Sequence, residues 1–401
     1  TISGLTVTFF LFFFSELISV SFYNKPALDQ YIKLLSFAIP FSVLSGIIIN
    51  IFKGFDVIKY KVLIEDFIII ISRILFLFYC LVFGLGTIGV IISYTASILL
   101  GLIIGIIFLL KIFPDIKNSD IISTINKREV FSYSMPLFLS SFLVIFLNQT
   151  DILMLSYYLS ADNIGIYSVA NKLAVLVFFV SSSSFAIFSP AIAKLLGEKK
   201  RDQIQDIIFS VVRLILIITI PIFLIITIFS KDVLLIFGKE FSNGNSVLLI
   251  LALSFFLSSI FGFAGQVLSV MGRSKLIMIN SLGAGILNIV LNYILIPKYG
   301  LIGAAIATGS SIIAVNIARV IETYFFEGLL ILTPLLVRPL LVCFTTGSVV
   351  IYLKHLLNYQ VSLQYFIGFV SICLALYCIL TWFLVLTKND KILFNEFLIK
   401  D

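Results

Sequence analysis

Twelve apolar runs, each about 20 residues long, follow one another along almost the whole chain. A helix needs about 20 apolar residues to cross the hydrocarbon core of a bilayer, so each run is a candidate transmembrane helix. The runs lie at about 3–23, 31–52, 64–84, 88–112, 130–157, 164–194, 206–229, 245–270, 276–296, 301–325, 334–353 and 363–387. This pattern predicts an all-α, polytopic membrane protein, because helices satisfy their own backbone groups inside lipid.

The composition excludes a soluble globular domain. The 401 residues are 61% hydrophobic and 12% charged, whereas soluble domains contain about 25% charged residues. All connections are short, and the longest, about Lys111–Glu129, is too small for an extramembrane domain. The four cysteines lie inside apolar runs without a CxxC or Cys/His cluster, so we expect no disulfide framework, metal or cofactor.

The basic residues indicate an orientation in the membrane. Of the 27 Lys and Arg residues, sixteen fall in one alternating set of connections, six fall in the other set, and five lie within helices. Cytoplasmic loops are enriched in Lys and Arg, so the richer set and the C-terminus are predicted to be cytoplasmic. The same distribution explains the net charge of +7 without a nucleic-acid partner.

Two stretches, Ile58–Ser97 and Ser274–Ser311, resemble each other. At a shift of 214 residues, the aligned pairs are Lys61 with Lys275, Gly86 with Gly300 and Gly89 with Gly303. Both stretches are predicted to run outward and back, which favours a parallel repeat of the kind that relates the two halves of some transporters. An accidental match between short apolar stretches is the alternative.

The repeat predicts the domain organisation. We expect a partial N-terminal lobe of four helices at 1–129, a C-terminal lobe of six helices at 130–329, and two further helices with a cytoplasmic tail at 330–401. A six-helix repeat would place two more helices before Thr1, so we expect an N-terminal truncation.

The hairpin Val130–Leu195 carries one charge deep in each of its two apolar runs, Asp151 and Lys172. At about 1.5 Å per residue, both lie roughly 15 Å below the outer turn near residue 160, close to mid-bilayer. Ionisable groups at this depth are costly and therefore indicate function. The alternative is an ion pair that only fixes the hairpin.

Neighbouring polar residues extend this candidate site. Asn148 shares a helical face with Asp151, while Tyr167 and Asn171 are four residues apart beside Lys172. These side chains are predicted to form a polar stripe that lines a cavity.

Other polar residues inside the runs are either further candidates for function or are explained by snorkelling and helix packing. Glu16 is the remaining carboxylate deep in a helix and is a candidate ion-coupling site. Arg73, Arg213, Arg319 and Arg338 lie near predicted cytoplasmic ends, where snorkelling explains them, with Arg73 the foremost exception and a candidate cavity residue. The residues Ser281, Gly285, Asn288 and Asn292 share one face, for which helix packing is the default and cavity lining the alternative.

Two long motifs carry a family resemblance. These are SMPLFLSSFLVIFLNQTDILMLSYYLSADNIGIYSVANKL and LNIVLNYILIPKYGLIGAAIATGSS. They resemble the polysaccharide-transport (O-antigen-unit) flippases of the multidrug/oligosaccharidyl-lipid/polysaccharide exporter superfamily. The resemblance implies fourteen helices in two six-helix lobes plus a terminal pair.

The resemblance also implies a function. It suggests a non-enzymatic flippase of the bacterial inner membrane, which moves undecaprenyl-diphosphate-linked oligosaccharide for O-antigen, capsule or exopolysaccharide synthesis. Its expected partners are the lipid-linked oligosaccharide, membrane lipids, and a polysaccharide polymerase and chain-length regulator. In this interpretation Lys172 attracts the diphosphate, and Asp151 keeps Lys172 charged or binds a coupling cation.

Two other functions remain as alternatives. The first is a proton- or sodium-driven exporter of small molecules, although such sites are usually richer in carboxylates. The second is a membrane enzyme that uses the same lipid donors. An enzyme needs clustered acid–base or metal-binding residues, and the sequence has no DxD, HExxH or long outer loop.

Overall fold

The computed structural model describes residues 2–55, 57–114, 135, 149–198, 200–357, 359 and 362–385. Every regular element among them is a helix, which confirms the predicted all-α class. Eight helical segments in these ranges are long and apolar enough to cross a membrane. They are Leu28–Gly54, Gly86–Ile112, Ala161–Gly197, Arg201–Ile228, Lys239–Val270, Ser274–Glu327, Pro334–Leu356 and Gln364–Val385. Because Ser274–Glu327 contains two of the predicted runs, and run 130–157 lies largely outside the described residues, the count of twelve stays a prediction.

The chain divides into two compact units, Thr1–Leu137 and Phe138–Asp401. The predicted boundary at 129/130 lies outside the described residues. The helices of the first unit are α1 (Ile2–Phe13), α2 (Leu28–Ser36), α3 (Ala38–Gly54), α4 (Ile58–Val62), α5 (Ile69–Val82) and α6 (Gly86–Ile112), with π-helical turns at Leu17–Phe22 and Leu63–Ile68. Its core contains Ile48, Phe52, Ile64 and Leu102.

The second unit contains the longer helices. They are α7 (described at 149–158), α8 (Ala161–Gly197), α9 (Arg201–Ile228), α10 (Ser230–Leu235), α11 (Asn245–Phe261), α12 (Phe263–Val270), α13 (Ser274–Glu327), α14 (Val337–Leu356) and α15 (Leu363–Leu380). Helix α9 packs against α8, α11 and α14. Its residues Ile208, Ile215 and Leu216 are fully buried. A helix that is apolar on most of its faces is expected to occupy such a core.

Helix α13 is two helical arms joined at Gly300. The backbone of Gly300 has φ +56° and ψ −129°, a conformation that is costly for residues with a Cβ atom. Gly86, the residue aligned with Gly300 in the sequence match, also has a positive φ, of +51°. The two stretches therefore share this backbone feature, while the repeat arrangement as a whole stays a prediction.

The last two helices pack on the second unit. Tyr377 of α15 donates a hydrogen bond to the carbonyl of Ile217 at 2.7 Å. The Lys354 ammonium donates to the carbonyl of Ile228 at 3.0 Å and lies 4.2 Å from the ring centroid of Tyr359. The segment predicted as a separate pair at 330–401 is thus joined to α9 through its described residues, and its tail at 386–401 lies outside them.

A second contact fixes the connection between α14 and α15. The Tyr359 hydroxyl donates a hydrogen bond to the Asp232 carboxylate at 2.7 Å. Burial, together with this carboxylate, raises the pKa of Tyr359 above its ordinary value. The phenol therefore stays protonated, and remains a donor, throughout the neutral pH range.

Gly303 provides a test of how closely the two arms of α13 approach each other. A Cβ atom at this position would lie 2.3 Å from the Leu295 carbonyl oxygen. We expect Gly303→Ala to lower the free energy of unfolding by about 1–3 kcal/mol, the usual cost of overpacking. Thermal unfolding of the purified protein in detergent measures this loss.

Gly283→Ala on the first arm is the matched control. No atom lies within 4 Å of a Cβ atom placed there, and alanine favours helix over glycine by about 1 kcal/mol. Its melting temperature should be unchanged or higher. Equal destabilisation by the two substitutions would contradict the close approach of the arms.

Candidate functional site

The carboxylate of Asp151 on α7 is surrounded by four hydrogen-bond donors. The Tyr167 hydroxyl on α8 donates to Oδ2 at 3.0 Å. The side-chain amides of Asn288 and Asn292, on the first arm of α13, donate to Oδ1 at 3.0 and 2.7 Å. The Thr308 hydroxyl, on the second arm, donates to Oδ2. We call these five residues the Asp151 cluster.

The break at Gly300 brings the two arms of α13 to the same carboxylate. Asn288 and Asn292 are one helical turn apart and therefore share a face. The Asn288 amide also donates to Thr308 at 3.3 Å, and the Asn292 amide donates to Asn288 at 3.0 Å. The side chains that bind Asp151 are thus also bonded to each other.

The Asp151 cluster is largely withdrawn from solvent. Tyr167 and Asn292 are fully buried, while Asp151 is half-buried. A carboxylate in such a place is costly unless donors compensate for its lost hydration, and hydrogen bonds to an ionised acceptor are about twice as strong as neutral ones. The Oδ1 atom of Asn292 is buried without a hydrogen-bond partner among the described residues, so the cluster retains an unused oxygen.

A cavity of about 460 Å³ lies beside the Asp151 cluster, within the second unit. It is lined by Asp151, Asn171, Val175, Phe255, Ser281, Ala284, Gly285, Asn288, Thr308, Ser311, Ile312, Val315 and Arg319. Asp151 supplies a carboxylate and Arg319 a guanidinium to the same cavity. This volume falls within the range of about 300–1,000 Å³ that is typical of small-ligand sites.

Some of the residues predicted from the hairpin lie at this site, and Lys172 does not. Asp151 and Tyr167 are bonded to each other, and Asn171 lines the cavity with its buried Oδ1 atom lacking a partner among the described residues. Lys172 is exposed, and no ion pair joins it to Asp151 in the described part of the chain. The reason is helical geometry: at about 100° per residue, Asn171 lies about 40° from Tyr167 around α8, whereas Lys172 lies about 140° away.

Two other predicted residues, Asn148 and Glu16, are not placed at this cavity by the described part of the chain. Asn148 lies outside the described residues. Glu16 is exposed where α1 ends and the π-helical turn Leu17–Phe22 begins, and it borders an open depression of about 360 Å³ formed by its own segment. Its predicted role in ion coupling stays a prediction.

Arg73 belongs to the first unit and has its own polar surroundings. Its guanidinium carbon lies 4.6 Å from the ring centroid of Tyr94, and its Nε atom donates to the Ser97 hydroxyl at 3.3 Å. Both partners are on α6. A cation over an aromatic face is stabilised by the ring quadrupole, so Arg73 is held in place rather than extended to a helix end.

Four important residues were missed or misjudged from sequence. Thr308 carried no charge or motif to single it out, and Asn288 and Asn292 were assigned to packing by default. Arg319 was expected to snorkel, but it lines the cavity and its Nη2 atom donates to Ser281 at 3.3 Å. The face shared by Ser281, Asn288 and Asn292 was the available signal for the cavity-lining alternative.

The chemistry of the Asp151 cluster suits a proton or a hard monovalent cation. Its groups present carboxylate, amide and hydroxyl oxygens, which are the donors that hard cations prefer. Within the described ranges, no group of three or more His, Cys, Asp or Glu residues could hold a metal ion. A single carboxylate can instead take up one positive charge and become neutral.

Two family models match the sequence. The model described as "Polysaccharide biosynthesis protein" matches residues 1–196, and the MatE model matches residues 136–294. The two matches overlap in the hairpin that carries Asp151 and together extend through the first arm of α13.

Two curated relatives have names that indicate a function. The chain is 28% identical over 222 residues to the "Probable low-salt glycan biosynthesis flippase Agl15" of Haloferax volcanii, which covers 55% of this chain and 46% of the relative. It is 27% identical over 203 residues to the "Capsular polysaccharide biosynthesis protein CapF" of Staphylococcus aureus, which covers 50% of each chain. The matched region thus spans about half the length of each of these relatives.

A solved structure shows the same fold. It is "Lipid II flippase MurJ, inward closed conformation", with a TM-score of 0.73 and 18% sequence identity over 95% of this chain and 80% of that chain. This similarity establishes the fold alone. At such a low sequence identity, a shared fold does not identify the substrate.

Asn292→Ala tests whether the Asp151 cluster stabilises the second unit. The substitution removes a 2.7 Å hydrogen bond to the carboxylate, and bonds to charged groups are worth about 1.5–3 kcal/mol. We expect a loss of about this size in the free energy of unfolding, measured by thermal unfolding in detergent.

Asn163→Ala is the control for this measurement. Asn163 is partly exposed, and its side-chain amide donates a hydrogen bond to the Ser160 hydroxyl at the hairpin turn, at 2.9 Å. Exposed substitutions usually change stability by less than about 0.5 kcal/mol. Similar melting temperatures for the two variants would show that the cluster contributes little.

Proposed function

Because the chain belongs to the superfamily of polysaccharide flippases and MatE-type exporters, we propose that it translocates lipid-linked oligosaccharide. The proposed substrate is an undecaprenyl-diphosphate-linked oligosaccharide unit, moved to the outer leaflet for the synthesis of a surface polysaccharide. The named flippase and capsule relatives support this substrate class, as does the fold shared with a lipid flippase.

One observation carries the proposal: a carboxylate bound by four side chains and facing a polar cavity inside an apolar helical unit. Intramembrane ionisable groups are kept where they serve transport, because they cost stability. Translocation needs a group whose state changes during the cycle, and Asp151 can alternate between a free and a cation-bound state.

We assign Asp151 the role of the coupling site. A proton or Na⁺ at this carboxylate would compete with the donors from α8 and from both arms of α13. Those donors would have to turn away or offer their oxygens instead, which changes how the arms pack. Occupancy would thereby bias the second unit between two arrangements, as differential binding requires.

Two basic side chains are proposed to contact the diphosphate. Lys172 is exposed and is not paired with Asp151, so its ammonium is free to meet an anionic headgroup as a compact charge. Arg73 is positioned by Tyr94 and Ser97 in the other unit.

The cellular setting follows from the same proposal. The distribution of Lys and Arg favours a cytoplasmic C-terminus, and the proposed location is a bacterial cytoplasmic membrane. A polysaccharide polymerase and a chain-length regulator would act on the translocated product and are proposed partners. The chain itself would act as a transporter and not as an enzyme.

The MatE match over 136–294 favours a second candidate, a cation-coupled exporter of small molecules. Two complementation assays discriminate the candidates. Restored surface polysaccharide in a flippase-deficient strain supports the flippase, whereas restored drug resistance alone, in an exporter-deficient strain, supports the exporter and contradicts our proposal.

Asp151→Asn should reduce complementation of the flippase-deficient strain by at least about ten-fold. Asparagine keeps the shape of the side chain but cannot take up a proton or balance a cation, and the loss of one charge-assisted interaction of about 1.5–3 kcal/mol corresponds to such a factor. Surface polysaccharide is measured per unit of protein in the membrane. Asp162→Asn, an exposed carboxylate at the start of α8, is the control and should remain active.

Lys172→Ala should weaken substrate binding, and Lys172→Arg should restore much of it because the positive charge returns. Lys194→Ala, on the same helix and also exposed, is the matched control. Flipping of fluorescent lipid-linked oligosaccharide in proteoliposomes measures the effect as a function of substrate concentration. Wild-type concentration dependence in Lys172→Ala would remove this residue from the substrate site.

A further inference from the structure

The basic end of the cavity in the second unit has chemistry that the coupling of a cation does not use. Arg319 lies on the second arm of α13, eleven residues after Thr308, and contacts Ser281 on the first arm. Ser281 lies seven residues before Asn288, which corresponds to about 10 Å along a helix. The cavity thus extends from a carboxylate at one end to a guanidinium about 10 Å away.

The guanidinium of Arg319 is incompletely satisfied. Its Nη2 atom makes one long hydrogen bond, of 3.3 Å, to the Ser281 hydroxyl. Its Nε atom is buried without a hydrogen-bond partner among the described residues. An arginine offers five donors in a planar fork, and the described residues accept from the Nη2 atom alone.

The nearest acidic neighbour, Glu322, attracts the Arg319 guanidinium electrostatically, but the described residues show no direct ion pair between them. Glu322, three residues later, accepts a hydrogen bond from the Asn280 side chain at 2.6 Å. Among the described residues no carboxylate lies within ion-pairing distance of the Arg319 guanidinium. A partly buried cation whose nearest carboxylate lies beyond ion-pairing distance is stabilised further when an anion binds to it directly.

Helix α12 leaves room for the guanidinium at this place. A Cβ atom at Gly265 would lie 3.0 Å from Cδ and 3.3 Å from Nε of Arg319. The absence of a side chain at Gly265 therefore lets the guanidinium lie against α12 while it lines the cavity. Any larger residue would have to displace it.

We propose that Arg319 forms an anion site in this cavity, for a monovalent anion such as a carboxylate or a halide. A planar carboxylate matches the donor fork of arginine. It could come from an acidic sugar of the translocated oligosaccharide, whose hydroxyl groups would meet Ser281, Ser311 and Asn171, or the anion could be a free ion. The anion site does not depend on the proposed function, but its coupling to Asp151 rests on that proposal.

The separation of the two ends predicts cooperation between the two ligands. Unit charges about 10 Å apart, at an effective dielectric constant of about 20, attract each other by an amount that changes affinity roughly ten-fold. An anion at Arg319 should therefore strengthen Na⁺ binding at Asp151, and Na⁺ should strengthen anion binding by the same factor.

Calorimetric titration of the whole chain in lipid nanodiscs tests the anion site. The probes are sodium chloride, sodium glucuronate and, as the uncharged control, glucose, in a chloride-free sodium HEPES buffer at saturating Na⁺, so that Na⁺ binding at Asp151 adds no signal. We expect saturable binding of an anion by the wild type and by Arg338→Gln, which removes an exposed arginine of α14. Binding should be lost in Arg319→Gln and weakened in Gly265→Ala, which keeps the charge but displaces it.

The outcomes separate the two sources of the anion. If chloride binds and glucuronate does not, the ligand of the Arg319 site is a free ion. If glucuronate binds and chloride does not, the ligand is an acidic sugar. Equal binding of glucose, no saturable binding of either anion, or unchanged binding in Arg319→Gln overturns the site. Arg319→Lys, with thermal unfolding as a check on folding, should retain weaker binding, and a folded variant that binds nothing would show that the charge alone does not suffice.

The cooperation is tested separately from transport. Sodium affinity should rise roughly ten-fold in saturating anion in the wild type, and this rise should vanish in Asp151→Asn while anion binding persists. A chain that binds anions without flipping lipid would contradict the proposed function and leave the anion site standing. Anion binding without any effect on Na⁺ would overturn the cooperation.

Discussion

The hydrogen bonds to the Asp151 carboxylate are the constraint on which the second unit depends. A lone carboxylate inside an apolar bundle would be too costly, and the donors from α8 and from the two arms of α13 remove most of that cost. Because the donors come from different segments, satisfying the charge also fixes where those segments lie. Apolar packing alone is less directional, since the rows of isoleucine and leucine around α9 allow many near-equivalent contacts.

The second unit contains an apolar core and, in a different place, the cavity beside Asp151. The apolar core around α9 and the terminal helices are joined by contacts such as that between Tyr377 and Ile217. The cavity that Asp151 faces lies elsewhere, between α7, α8, α11 and α13. A change in the charge state of Asp151 therefore acts first on the arms of α13 and leaves the densely packed part intact. Such a separation suits a transporter, which must move one part of a helical body against a stable remainder.

The fold could be predicted from the sequence more fully than the candidate site, for physical reasons. The apolar runs predicted helices because bilayer thickness and backbone hydrogen bonding leave few other choices. Asp151 and Tyr167 could be predicted because charge at membrane depth and helical spacing are local properties. Asn288, Asn292 and Thr308 contact Asp151 across 137, 141 and 157 residues, and that pairing depends on the turn at Gly300. Lys172 was paired with Asp151 on depth alone, whereas its rotation about α8 decides its contacts.

The long sequence separation within the Asp151 cluster has a consequence for biosynthesis. Asp151 leaves the ribosome well before Thr308, which lies 157 residues later. Until Asn288 and Asn292 are made, 137 and 141 residues after Asp151, Tyr167 of the following helix is the one donor of the cluster that can accompany the carboxylate in the membrane. The hairpin is therefore expected to enter the bilayer as a pair, and to be the segment that most needs an insertase or chaperone until α13 is made. The nascent chain is therefore expected to be least stable in the membrane after Asp151 is inserted and before its donors on α13 are made.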